Sequence, residues 1–207
     1  DYQVCTLAIG DRANQEVLDL YAAAFAEMPG AADGIRFRIE HSQILHPYDV
    51  PRFADLGVVA AMQGIHAISD GPWTPARLGE ERTRERAFQF RDLIDSGVTV
   101  MNGTDTPVED VNPIPSFYGT VVGRMNNGEV LNPDQLRTRL EGLQAYTITA
   151  AYGAHEEFTK GSITPGKLAD IVVLSQDILE VPEDEILETR VDVTVLGGEV
   201  VYTREGD

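Results

Sequence analysis

The chain has 207 residues, 43% of them hydrophobic, and carries a formal net charge of −18 from 16 basic and 34 acidic side chains. That length allows one ordinary domain, or one domain with a small appendage, and the charge argues against a nucleic-acid backbone or an anionic membrane as partner. No apolar run approaches the roughly 18 residues that a membrane span requires. The acidity itself reads as a solubilising or salt-adapted surface. The single cysteine, Cys5, leaves no intrachain disulfide to form. It lies in an apolar run and is expected to be an inert core residue. The sequence opens Asp-Tyr-Gln-Val, without a methionine, and enters a strand pattern at once. A piece of a longer, cytoplasmic protein is the expectation, and a signal peptide on a preceding part stays open.

Gln3 to Ile9 is largely apolar and ends in Gly10-Asp11, a buried strand and a tight turn. Asn14 to Phe25 places Val17, Leu18, Tyr21, Ala22 and Phe25 at helical spacing, with Met28-Pro29-Gly30 as the stop. Ile35 to Ile39 is a second strand, ending at Glu40-His41-Ser42. Pro47 opens a short helix with Val50, Phe53 and Leu56 on one face, closed by Gly57. Val58 to Met62 is a third strand, followed by a long polar loop with His66, Asp70 and Trp73. Arg82 to Ser96 is a helix with Ala87, Phe90, Leu93 and Ile94 inward, capped by Gly97. Val98 to Asn102 is a fourth strand. Strands alternating with helices over short connections mean a parallel sheet covered by helices.

Beyond Asp105 the pattern predicts a helix over Ser116 to Arg124. A longer one opens at Pro133 and runs to about Ala151, with Leu136, Leu140, Leu143, Thr147 and Ala150 inward. From about Thr159 the composition changes. Asp170 to Leu174, Asp192 to Leu196 and Glu199 to Tyr202 are strands, the last two joined through Gly197-Gly198 as a hairpin. The tail is therefore a separate β-module.

Four positions stand at or just past a strand end: Leu7, His41, the Gln63 to His66 segment and Asp105. An imidazole and a carboxylate there are ordinary divalent-metal ligands, and a carboxylate beside a metal can take the proton of a bound water. Each also has a structural alternative. A histidine ending a strand can serve as a hydrogen-bonded structural residue, and an aspartate before Thr-Pro as an Asx-turn residue.

The motifs Thr-Leu-Ala-Ile-Gly-Asp-Arg-Ala-Asn, Arg-Ile-Glu-His-Ser-Gln, Gly-Thr-Asp-Thr-Pro-Val-Glu and Gly-Ser-Ile-Thr-Pro-Gly-Lys-Leu-Ala-Asp-Ile-Val-Val-Leu occur here in one order. Together they resemble the C-terminal part of a metal-dependent amidohydrolase of the N-substituted formamide deformylase-like group. The resemblance implies an α/β fold. Residues 1–158 would be half of a TIM (β/α)8 barrel, its strands five to eight, and residues 159–207 the C-terminal share of a small β-sandwich domain. It implies His41 as a metal ligand, and Asp105 as both metal ligand and general base. His66, Asp70 and Arg82 would line the substrate pocket. Where the family has its fifth-strand histidine, this sequence has Leu7, which cannot coordinate a metal.

His46 and His155 read as surface residues, Asp11 and Arg12 as shapers of the turn after the first strand, and Lys167 and Asp170 as structural parts of the small domain. The implied cofactor is a divalent cation, Zn²⁺ in the first instance, mononuclear or binuclear. The implied partners are a small amide-type substrate, the missing N-terminal half of the same protein and, for exposed sheet edges, another copy. The implied reaction is hydrolysis of a non-peptide C–N bond. The alternative, motivated by Leu7 and the absent strands, is a non-catalytic degenerate barrel or fragment serving as a structural or binding module.

Overall fold

The structure, a computed structural model, describes residues 2–28 and 34–205. The expected stop at Pro29-Gly30 lies outside these residues. Strands β1 (Cys5–Ala8), β2 (Arg38–His41), β3 (Val59–Met62) and β4 (Val100–Asn102) form a four-stranded sheet in that order. All three pairings are parallel, with Ala8 opposite His41, Ile39 opposite Ala60, and Ala60 opposite Val100. The expected alternating α/β arrangement is therefore present, a parallel sheet such as a partial (β/α) barrel contains.

Helix α1 (Asp11–Glu27) starts earlier than its apolar spacing suggests and buries Val17, Leu18 and Tyr21. Helix α2 (Val50–Asp55) buries Val50 and Phe53. One face of the sheet, with Ala8, Ile39, Ala60, Met62 and Val100, packs against these helices as the main core. The other face is bare at its β1 end. Cys5 is exposed, contrary to its expected place in the core, and Leu7 is 63% exposed. Strand alternation explains this: both residues point away from the face that α1 covers.

The segment expected as one polar loop is instead three short helices, α3 (His66–Ser69), α4 (Thr74–Leu78) and the start of α5 (Glu80–Arg86). The expected helix over Arg82 to Ser96 is interrupted. It is α5, then an extended Ala87 and a Phe88 at φ +53°, then α6 (Phe90–Asp95). Distant partners break it. The Arg86 carbonyl accepts from the Leu45 amide at 2.9 Å and the Phe88 amide donates to the Gln43 carbonyl at 2.8 Å. The Asn132 side-chain amide donates to the Thr83 and Ala87 carbonyls.

Helix α7 (Pro113–Val121) begins three residues before its expected start, capped by the Asn112 side chain. The helix expected from Pro133 to Ala151 is a 3₁₀ turn (Pro133–Gln135), then α8 (Arg139–Tyr146) and α9 (Ile148–Gly153). Thr138 and Glu141 start α8 with a reciprocal capping box. Thr147 ends it, its hydroxyl turned back to the Leu143 carbonyl at 2.8 Å. Leu140, expected inward, is exposed. The buried residues of α8 are Gly142 and Ala145, and a Cβ on Gly142 would lie 2.9 Å from the Phe117 ring.

Strands β5 (Ile171–Leu174), β6 (Val191–Leu196) and β7 (Glu199–Thr203) form a separate antiparallel sheet in that order, the kind of sheet a small sandwich domain contains. Gly197 and Gly198, both at positive φ, make the expected hairpin turn. Between β5 and β6, Ile178 and Ile186 pack with Ile114, Phe117 and Tyr118 of α7 in a second apolar cluster. No helix among the described residues is long and apolar enough to cross a membrane.

Candidate metal centre

Side chains delivered past the C-terminal ends of three adjacent parallel strands meet at one point. His41 ends β2, His66 follows β3, and Asp105 follows β4. One ligand atom from each lies within 4.8 Å of the other two. The ring centroids of His41 and His66 are 5.8 Å apart. His66 Nε2 is 3.3 Å from an Asp105 carboxylate oxygen. Loop residues at the C-terminal ends of parallel strands are where α/β folds assemble their sites.

Backbone conformation delivers these groups. His41 and Ser42 have φ of +74° and +45°, and Asp105 has +63°. Side chains with a Cβ occupy this region only when the surroundings hold them there. The Ser42 amide donates to the Ala8 carbonyl and its hydroxyl to the Ile39 carbonyl, which pins the turn beyond His41. After Asp105 the chain turns back, with the Val108 and Glu109 amides donating to the Asp105 carbonyl. That turn returns Glu109 to His66, its carboxylate 3.6 Å from Nδ1.

A polar brace joins the loops carrying His66 and Asp105. The Asn102 side-chain oxygen accepts from the Gly64 amide at 2.8 Å and the Gly103 amide at 3.1 Å. The Ser116 hydroxyl accepts from the Ile65 amide and donates to the Gly103 carbonyl at 2.8 Å. The Tyr146 hydroxyl donates to the same carbonyl at 3.1 Å, and burial pushes its pKa up to about 12. The loop holding His66 approaches α7 so closely that neither Gly64 nor Gly119 has room for a Cβ.

The donor set fits a cation. His41 and His66 are both buried, and the Nδ1 atom of each has no hydrogen-bond partner. A buried polar nitrogen left so costs about 1–3 kcal/mol. Both His66 nitrogens face carboxylate oxygens, yet a neutral imidazole has only one N–H to offer. A cation among His41, His66 and Asp105 would take one nitrogen of each ring as a ligand.

The remaining expected site residues are placed as follows. Leu7 pairs with Glu40 across β1 and β2 and presents an exposed side chain on the bare face. Asp70 accepts a hydrogen bond from the Gln43 side chain at 2.8 Å. Arg82 is bound to Asp11 at 2.6 Å, and Arg86 joins the same carboxylate. Asp11 therefore ties the turn after β1 to α5. His155 is exposed, its Nε2 3.1 Å from the Ile35 carbonyl, and His46 lies beside the Tyr48 ring. The Lys167 ammonium donates to the Lys160 carbonyl, and the Asp170 carboxylate accepts from the Gly197 amide. Glu109 was not among the expected site residues. Its sequence signals are its place four residues after Asp105 and its position at the end of the Gly-Thr-Asp-Thr-Pro-Val-Glu motif.

A model of the amidohydrolase family matches residues 1–202. The chain is similar to the protein LONG AFTER FAR-RED 3 of Arabidopsis thaliana, 36% identical over 205 residues, which cover 97% of this chain and 34% of that protein. It is also similar to an N-substituted formamide deformylase of Arthrobacter pascens, 31% identical over 199 residues, covering 96% of this chain and 36% of that one. Among solved structures, it resembles an uncharacterized metal-dependent hydrolase from Pyrococcus horikoshii, with a TM-score of 0.75 and 28% identity over 88% of this chain and 35% of that chain. The chain thus spans about a third of the length of the curated relatives it matches.

Proposed function

We propose, because this chain belongs to the amidohydrolase family, that the His41–His66–Asp105 group is the metal end of a hydrolase site acting on non-peptide C–N bonds. The observation that carries this reading is the convergence of two buried imidazoles and one carboxylate within 4.8 Å. Two nitrogens and one oxygen form a donor set suited to Zn²⁺. When bound, the cation supplies Lewis acidity toward water and the amide carbonyl.

His41 and His66 orient and hold. His66 supplies the imidazole that Leu7 does not. The Asp105 carboxylate is 30% exposed and the most open of the three, so it can both hold the cation and reach solvent. It takes a proton from the attacking water and returns it to the leaving nitrogen. Similarity to a protein named as an N-substituted formamide deformylase supports an amide-type substrate. In this reading β1 to β4 are the fifth to eighth strands of a barrel (residues 1–158). Residues 159–207 belong to a small sandwich domain, the rest comes from the longer parent protein, and the enzyme is cytoplasmic.

The test is zinc content and hydrolysis of N-substituted formamides by the parent protein, with Asp105→Asn alongside. Stoichiometric zinc, with turnover lost in the variant, is expected. Retained turnover removes Asp105 from the reaction. A second reading, a binding or structural module, is favoured by one observation: the bare, leucine-bearing end of β1. Absence of zinc from the parent protein after zinc is added selects it.

A further inference from the structure

We infer that Glu109 is the positioning residue of this centre: it accepts the Nδ1 proton of His66 and so dedicates Nε2 to the cation. The inference rests on the metal reading above.

One turn places two carboxylates on opposite sides of one ring. The Asp105 carbonyl accepts from the Val108 and Glu109 amides. As a result, Asp105 faces Nε2 at 3.3 Å and Glu109 faces Nδ1 at 3.6 Å. The ring is buried and the Glu109 side chain is a quarter exposed. The two sides are not equivalent. On the Nε2 side stands Asp105, which with His41 and His66 makes up the group of three donors. On the Nδ1 side, Glu109 is the only acidic partner among the described residues.

A neutral ring has one proton to place. With the proton on Nε2, a nitrogen lone pair would point at the Glu109 carboxylate, and the ring would be lost as a ligand toward His41 and Asp105. With the proton on Nδ1, Glu109 accepts it in a charge-assisted hydrogen bond, and the Nε2 lone pair faces the side of Asp105. A carboxylate behind a ligating imidazole selects its tautomer, fixes its plane and raises its basicity. Neither Nδ1 is hydrogen-bonded, but among the described residues only that of His66 has a carboxylate within 4 Å, Glu109 at 3.6 Å. The centre therefore depends on a single carboxylate outside its donor set, and that carboxylate lies on the same turn as Asp105.

The test is zinc titration of the parent protein, wild type against Glu109→Ala and Glu109→Gln, with Glu129→Gln as a control for lost surface charge. Glu109→Ala is expected to raise the zinc Kd about 10- to 100-fold. Glu109→Gln, which keeps an acceptor oxygen without its charge, should lose less, and Glu129→Gln should match wild type. In the zinc-loaded parent protein, long-range ¹H–¹⁵N spectra should show His66 protonated at Nδ1 and metal-bound at Nε2. Equal zinc affinity in wild type and Glu109→Ala, or a ring protonated at Nε2, overturns the inference while leaving the metal centre standing. A wild-type parent protein that binds no zinc overturns the metal reading, and this inference falls with it.

Discussion

Gly64 and Gly119 meet back to back: a Cβ built on Gly119 would lie 2.1 Å from the Gly64 carbonyl oxygen. The contact lets the loop bearing His66 settle on α7, where the Gly64 amide reaches Asn102 and the Ile65 amide reaches Ser116. Gly119 lies within a helix, where alanine normally stabilises by about 1 kcal/mol. Here Gly119→Ala is expected to destabilise by about 1–3 kcal/mol through overpacking, read from the urea midpoint. It should also weaken zinc binding, because the displaced loop carries His66.

The bare position on β1 gives a gain-of-ligand experiment. Leu7 is exposed on the open face, one residue before the Ala8 that pairs with His41. If that side chain reaches the cation, Leu7→His should tighten zinc binding at least tenfold. An unchanged Kd would mean that the exposed β1 face lies outside the centre.

Zinc itself should stabilise the chain. A ligand present at 100 times its Kd adds about 2.7 kcal/mol to the folded state. The melting temperature of the zinc-loaded chain should fall when a chelator is added. The fall should be absent in a His41→Ala, Asp105→Asn double variant.

Acid stability should depend on Glu141. Hydrogen bonds from Arg91, then from the Thr138 amide and hydroxyl, outweigh burial and lower its pKa to about 2 from 4.5. A carboxyl depressed in the folded state contributes stability above its unfolded pKa and loses it as pH falls toward the folded value. Wild type should therefore lose about 1–3 kcal/mol from this group between pH 4.5 and 2, after allowance for solvent screening. In Glu141→Gln that part of the pH slope should vanish in urea unfolding at each pH.

Arg137 should be a stability liability. It is 4% exposed, burial lowers its pKa to about 10, and its Nε and one terminal nitrogen have no partner. The other terminal nitrogen reaches the Val100 carbonyl at 3.4 Å, and the guanidinium sits 5.0 Å from the Phe90 ring centroid. Arg137→Met keeps the aliphatic packing and removes the buried charge. A gain of about 1–3 kcal/mol is expected, and a lowered melting temperature would show that the two remaining contacts outweigh desolvation.

The sequence by itself determined the order of the strands, the helices α1, α2 and α7, the parallel sheet, the Gly197-Gly198 hairpin, and the placement of His41 and Asp105 at or past strand ends. These features follow from spacing of two or 3.6 residues and from glycine and proline positions, all of which act over a few residues. Only the tertiary structure decided that Ala87 and Phe88 break a helix, because Leu45, Gln43 and Asn132 take the hydrogen bonds a continuous helix would use. Only it brought His66 into one group with His41 and Asp105, and set Glu109 behind it. A residue after β3 meets residues after β2 and β4 only once the sheet has aligned those strand ends, and no local pattern encodes that alignment.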